Sequence, residues 1–228
     1  LYANQTALIG HWDGFENAGR GIGDASAEIW ADLTGITGDL TVNSVATFNA
    51  ADGCLVRENA SVVGSDSRMA YSTNAAGVTG WNTIEIVLRR TDFAAHAVVF
   101  SPNGHTDGFL AIKNSNAGSN FSKYFTVSNG FAKQGELATL TLVHDGSAWR
   151  LYQDGVSCVQ NSDSEGYGSG TSTALQIGGR ATNTSNYLRG RVYAVRLYSS
   201  VLSADAIAAN AELDNARFVE KASCGVSL

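Results

Sequence analysis

The chain holds very little of what would divide it, tie it to a membrane or draw it to a nucleic acid. A single proline stands in 228 residues, and no repeat, linker or low-complexity tract marks a second domain. The Gly/Ser stretch 165–172 is too short to separate two, so residues 1–228 are read as one domain. Charged residues make up 16% of the sequence, well under the roughly 25% of an average globular domain. Positive charge is scarcer still: 15 Lys and Arg face 21 Asp and Glu, a formal net charge of −6. The closest basic clusters are the pairs Arg89-Arg90 and Arg189/Arg191. Displacing counterions from a phosphate backbone takes a basic stripe, so nucleic acid is not an expected partner. No apolar run approaches the about 20 residues of a membrane-spanning helix, so no membrane insertion is expected. No charged segment precedes a short apolar one in the manner of a secretory leader; the start at Leu1-Tyr2 is expected to reflect a removed signal peptide or an excised fragment.

Cysteine is sparse as well. Cys54, Cys158 and Cys224 lie far apart, which excludes a CxxC metal or redox pair. Three residues admit one disulfide with a free thiol, or three reduced side chains acting as small apolar residues. The spacing does not choose between them, and it leaves the redox compartment open.

What is present is alternation. Apolar residues are 44% of the chain and recur along its whole length, enough for one sizeable core in a domain of this size. In Thr83–Thr91, Ile84, Ile86 and Leu88 fall on one face of a strand, with Glu85, Val87 and Arg89 on the other. Ala138–His144 repeats the pattern with Leu140 and Leu142, and Arg191–Tyr198 alternates less cleanly, as a strand covered on both faces does. Further short runs fall at Ala97–Ser101, Gly108–Lys113, Lys123–Val127, Trp149–Gln153, Val156–Gln160 and Ala174–Ile177. Turn dipeptides separate them: Asn103-Gly104, Asp107-Gly108, Asn129-Gly130, Asp145-Gly146 and Asp154-Gly155. Many short strands with evenly spaced turns predict an all-β sandwich or barrel. One helix is predicted near 203–217, followed by a tail over 218–228. Ser203 serves as its N-cap, Asp205 sits at its positive end, and Ile207, Leu213 and Phe218 are available to pack on a sheet.

Several segments together resemble bacterial laminin-G-like jelly-roll domains of the concanavalin A-like lectin/glucanase superfamily. The opening Ile9-Gly-His-Trp-Asp-Gly-Phe-Glu-Asn-Ala-Gly-Arg-Gly21 with Trp30-Ala-Asp-Leu-Thr-Gly35 is similar to theirs. So are the hairpin Leu151-Tyr-Gln-Asp-Gly155, the closing strand Gly190–Tyr198 and the segment Leu202–Asn210. The resemblance implies a two-sheet antiparallel β-sandwich with a short C-terminal helix. It also implies use as a lectin-like or adhesive module in secreted or cell-surface bacterial proteins.

Because related jelly rolls include glycoside hydrolases and lyases, catalytic patterns matter. A retaining glycosidase needs two carboxylates about 5 Å apart, which on one strand means acids at i and i+2 or i+4. No predicted strand carries such a pair; Glu85 stands alone, with Arg89 four residues on. The laminarinase-like Glu-x-Asp-x-x-Glu pattern, Gly-x-Ser-x-Gly and His-Glu-x-x-His are all missing, and His11, His96, His105 and His144 are dispersed. The chain is therefore expected to be non-catalytic, a hydrolase or lyase being the outside case.

Two kinds of binding site are expected. Laminin-G-like domains often carry calcium at a sandwich edge, and calcium asks for several oxygen ligands. Asp13, Asn17 and Asp24 offer such oxygens on Gly-rich backbone, although Asp13-Gly14 also reads as a turn and Asn17 as a backbone partner. The acid the family commonly carries in the closing strand is replaced here by Tyr193 or Ala194. For a sugar, an exposed aromatic plane flanked by amides is the usual device. Trp12, Trp30 and Trp149 are expected in the core, which leaves Trp81 as the candidate plane. Asn114, Asn116 and Tyr124 are candidates to line a loop-built site, or form plain solvated loop. The expected partner is a glycan, with a cell-surface or matrix protein as the alternative and a structural spacer as the third reading. The isolated domain is expected to be monomeric.

Overall fold

The computed structural model describes residues 2–16, 27–58, 66–72, 80–91, 96–101, 110–113, 119–121, 125–127, 132–161, 175–181 and 187–223. In chain order the strands are β1 (Leu8–Asp13), β2 (Ile29–Trp30), β3 (Leu40–Val42), β4 (Thr47–Asn49), β5 (Cys54–Arg57) and β6 (Ala70–Ser72). There follow β7 (Thr83–Arg90), β8 (His96–Ser101), β9 (Leu110–Lys113), β10 (Ser119–Phe121) and β11 (Phe125–Val127). The last are β12 (Leu137–His144), β13 (Trp149–Gln153), β14 (Val156–Asn161), β15 (Gln176–Ile177) and β16 (Gly190–Tyr198), before the helix α1 (Ala204–Ser223).

The strands form two antiparallel sheets and a small ribbon. The first sheet runs β14-β13-β12-β7-β16-β5-β4, and β1 joins the same edge of β16 further along. The second runs β2-β3-β6-β15-β8-β9, while β10 and β11 pair with each other. The long closing strand β16 thus sits mid-sheet between β7 and the early strands β1 and β5, a non-sequential order typical of jelly rolls.

Between the two sheets lies the main core. Ile84, Ile86 and Leu88 of β7, Leu140 and Leu142 of β12, and Val195 and Leu197 of β16 meet Leu40, Ala70, Phe100 and Ile177 of the second sheet. The alternation of β7 and β12 is observed as read. In β16 the inward side chains are Val192, Val195 and Leu197, a step of three and then two, because a bulge at Tyr193 shifts the register. Its outer face is covered too, as an uneven pattern implies.

That outer cover is α1. Ser203 caps it as read, its Oγ accepting from Ala206 N at 3.2 Å. The helix runs beyond Arg217 to Ser223, longer than its sequence signals suggested. Ile207 packs with Leu8, Val143, Tyr152 and Tyr198, and Phe218 packs with Cys54, Val87 and Tyr193. Between these two apolar contacts runs a polar network whose charged members are fully buried. Arg196 on β16 stands opposite Glu85 on β7, and its Nε donates to Glu85 Oε2 at 2.8 Å. Its Nη1 and Nη2 reach both oxygens of Asp214 on the helix. Asn210 and Tyr198 donate to the same Glu85 carboxylate, and Tyr2 and Thr139 donate to Asp214. Every hydrogen-bonding edge is matched, which is what a buried charge requires.

The hairpin β13–β14 turns on Asp154 (φ 51°) and Gly155 (φ 81°), the two positive values of a type I′ turn. Asp145-Gly146 turns between β12 and β13 as read. The turns at Asn103-Gly104, Asp107-Gly108 and Asn129-Gly130 lie outside the described residues. Cys54 and Cys158 carry free thiols, the first buried and the second exposed. Cys224 lies outside the described residues. Among the described residues no helix is long and apolar enough to cross a membrane.

Candidate functional site

The fold places the sequence-derived candidates unevenly. Trp81 is not an exposed plane. It is 9% exposed, edge-on to Phe100 at 6.2 Å and tilted against Trp149 at 6.4 Å. The strand it precedes feeds straight into the core, and burying an indole between the sheets outweighs leaving it in water. Trp12, Trp30 and Trp149 are core residues as expected. Asn114, Asn116 and Tyr124 lie outside the described residues.

Asp13 does not fit a calcium ligand. Its Oδ1 accepts from Phe15 N at 2.9 Å and Glu16 N at 3.1 Å, and its two oxygens take both ends of the Arg217 guanidinium. Burial pushes the Asp13 carboxyl up, but His11 and Arg217 outweigh it and hold it well below the usual carboxylate range. A cation placed there would compete with an arginine for the same lone pairs. Asn17 and Asp24 lie outside the described residues. Among the described residues no group of three or more His, Cys, Asp and Glu side chains is arranged to hold a metal ion. Asp32 is equally committed: it is buried and accepts from the backbone N–H of His11, Thr34, Thr37 and Gly38 and from the Thr34 hydroxyl. It organises its loop.

Among the described residues the fully buried carboxylates that share one cation are Glu85 and Asp214, both on Arg196. Both are fully buried beneath the helix, so neither faces a substrate.

The outer face of the second sheet is different, because α1 lies on the first sheet. In β3, β6 and β15 the residues Leu40, Val42, Ala70 and Ile177 point into the core, so their neighbours Thr41, Tyr71 and Gln176 point the other way. Cross-strand register aligns them in one row, Ile29–Thr41–Tyr71–Gln176–Ser101. Four strand spacings make that row about 19 Å long. At its centre the Arg68 guanidinium lies 3.6 Å from the Tyr71 ring centroid. Asp66 holds Arg68 in place through a fork, Nε and Nη2 donating at 3.0 and 2.6 Å. Gln176 Oε1 accepts from Ala181 N at 3.1 Å, which orients its amide. The turn after β15 can lie this close only because Gly178 and Gly179 have no side chains. A Cβ at Gly179 would stand 1.9 Å from Ser67 O, and Gly178 has φ 73°. The arrangement presents the half-buried Tyr71 ring with the Arg68 guanidinium across it and a fixed carboxylate beside them, over a Gln176 amide that is itself only 4% exposed. Stacking on a ring's C–H face and pairing with hydroxyl groups are what such a surface does.

Sequence reasoning did not find this row. Ala70-Tyr71-Ser72 is too short to show a period, and what brings Tyr71 beside Gln176 is pairing across 105 residues.

The comparisons agree with this architecture. A family model described as the concanavalin A-like lectin/glucanases superfamily matches residues 73–208, more than half of the chain. No curated protein is detectably similar in sequence. Among solved structures, one similar fold is domain 4 of AbnA, a GH43 extracellular arabinanase from Geobacillus stearothermophilus, in complex with arabinotriose. It is 14% identical with a TM-score of 0.66, over 90% of this chain and 98% of that one. Another is the Trypanosoma rangeli sialidase in complex with sialic acid, 13% identical with a TM-score of 0.67. The match covers 94% of this chain and 34% of the sialidase, so the chain spans about a third of that protein's length. At these identities the likeness is one of fold.

Proposed function

We propose that this chain, which belongs to the concanavalin A-like lectin/glucanases superfamily, is a non-catalytic glycan-binding module of a secreted or cell-surface protein. The observation that carries the reading is the row on the outer face of the second sheet, with Tyr71 and Arg68 stacked at its centre and Gln176 and Asp66 held beside them. A ring to stack on and oriented polar groups at its edge are the two things a sugar needs. The non-catalytic part is supported by Glu85 and Asp214, which are locked under α1 by Arg196 and are withdrawn from any substrate. The glycan class is supported by the AbnA domain, whose structure holds arabinotriose.

The test is calorimetric titration with arabino-oligosaccharides, followed by a wider glycan array. Tyr71→Ala is expected to weaken the best ligand about fivefold to tenfold while leaving the melting temperature near that of the parent. No binding to any glycan, or equal binding by the variant, would overturn the reading. The array is run with calcium and with EDTA, because Asn17 and Asp24 are still proposed as ion ligands; equal binding in both removes calcium from the proposal.

A protein-docking reading has one observation in its favour. Ile29, Leu33 and Ile36 are exposed by 42, 40 and 63% within one eight-residue stretch, and Asp32 holds the loop that displays two of them. Leu33→Ser with Ile36→Ser would abolish adhesion without changing glycan titrations if that reading is the right one.

A further inference from the structure

The outer face of the first sheet carries another cluster, away from the Arg196 network. Arg89 on β7 and Arg191 on β16 stand directly opposite each other in cross-strand register. Like charges so placed destabilise a sheet unless something neutralises them. Arg191 is neutralised: its Nη1 pairs with Asp52, and its Nη2 lies 3.7 Å from Glu58 Oε1. Arg89 makes no ion pair among the described residues, and its Nε is buried without a hydrogen-bond partner. Beside them Tyr193 fills the bulge in β16. It is 1% exposed, with its ring centroid 5.3 Å from that of Phe218, and its buried hydroxyl has the Arg191 guanidinium, itself a donor, beside it, so that among the described residues no acceptor takes its hydrogen. Cys54, Val87 and Phe218, with Val56 and Leu137, make the surroundings apolar.

Burial raises the Tyr193 phenol above its usual range, as does the Cys54 sulfur, against the pull of Arg89 and Arg191. The hydroxyl therefore keeps its proton and is a donor. The buried Arg89 Nε–H and the Tyr193 hydroxyl thus lie on one face with hydrogens to give, and among the described residues no carboxylate pairs with Arg89.

We propose that Arg89 and Tyr193, with Arg191 at the side, bind a single oxyanion group, the carboxylate or sulfate ester of an acidic saccharide. A guanidinium fork matches either group in geometry, and a buried hydroxyl supplies the additional hydrogen bond. Apolar surroundings strengthen both interactions. Asp52 and Glu58 on the Arg191 side repel additional negative charge, so the site takes a monoanion. It lies on the sheet opposite the Tyr71 row and stands independently of it.

The experiment follows the arginine Nε–H signals by NMR while sodium methyl sulfate or sodium acetate is added at constant ionic strength, with chloride as the control. The Arg89 signal is expected to shift and saturate with at least one of the two probes, and the preferred probe separates sulfate from carboxylate. Tyr193→Phe, which keeps the ring and its packing, is expected to weaken that response about tenfold. Arg89→Gln, read on the remaining Arg191 Nε–H signal, is expected to abolish saturation at this site while oligosaccharide titrations at Tyr71 stay unchanged. A shift that rises linearly with both probes, or a Tyr193→Phe response equal to the parent's, would overturn the proposal. Neither result bears on the Tyr71 row, which its own variant tests.

Discussion

Arg196 shows what a single residue can hold together. It is fully buried, yet all three of its nitrogens donate to carboxylates, one on β7 and one on α1. Replacing it with Met leaves Glu85 and Asp214 facing each other without a cation. Removing one partner of a buried ion pair costs about 3–5 kcal/mol, so Arg196→Met is expected to lose stability of that order in urea denaturation. Asp13 gives a pH dependence of definite sign. Its carboxyl titrates below the ordinary 3.8 in the folded chain, so the stability it contributes is complete above that value and is lost as pH falls toward the lower folded one. Asp13→Asn should be less stable than the parent at pH 7, and the gap should narrow in acid melts taken below pH 3.8. Glu85 and Asp13 illustrate one limit of reading residues singly: each is plain in the sequence, but its partners lie 111 and 204 residues away.

At the scale of elements, local signals served well where one turn or cap decides the outcome. Ser203 starts the helix, and Ser203→Ala is expected to cost about 1 kcal/mol through the lost Ala206 bond, measurable as a shift in urea midpoint. The Asp154-Gly155 turn does two jobs, because a Cβ on Gly155 would lie 2.7 Å from the Cα of Ala208 on α1. The strained φ adds roughly 1–2 kcal/mol to that clash, so Gly155→Ala should destabilise by at least this much in the same measurement. The long strands β7 and β12 announced themselves through alternation. The strands β2, β3, β4 and β6 have only two or three residues each, too few for a period to register, and the bulge at Tyr193 blurred β16.

For the molecule as a whole, the ionic network and the proposed glycan row lie on different sheets. The first sheet buries much of its outer face under α1 and its ionic network; the second carries the row through Tyr71. Stability and binding at the Tyr71 row should therefore separate. Arg196→Met is expected to lower the urea midpoint while the folded fraction still binds oligosaccharide, and Tyr71→Ala to weaken binding at an unchanged midpoint. Parallel titrations and melts on both variants check this, and loss of both properties in either variant would refute the division.

The sequence by itself determined an all-β sandwich or barrel, the main inward faces, the turns at Asp145-Gly146 and Asp154-Gly155 and the start of the closing helix. Each of these rests on a side chain's own preference or on neighbours within a few residues. Only the tertiary structure decided that Trp81 is core, that Asp13 is claimed by Arg217, that Glu85 and Asp214 share one arginine, and that Arg68, Tyr71 and Gln176 lie side by side. Those outcomes depend on which strands pair and in what register. A register couples residues a hundred or more positions apart, and no local pattern along the chain carries that information.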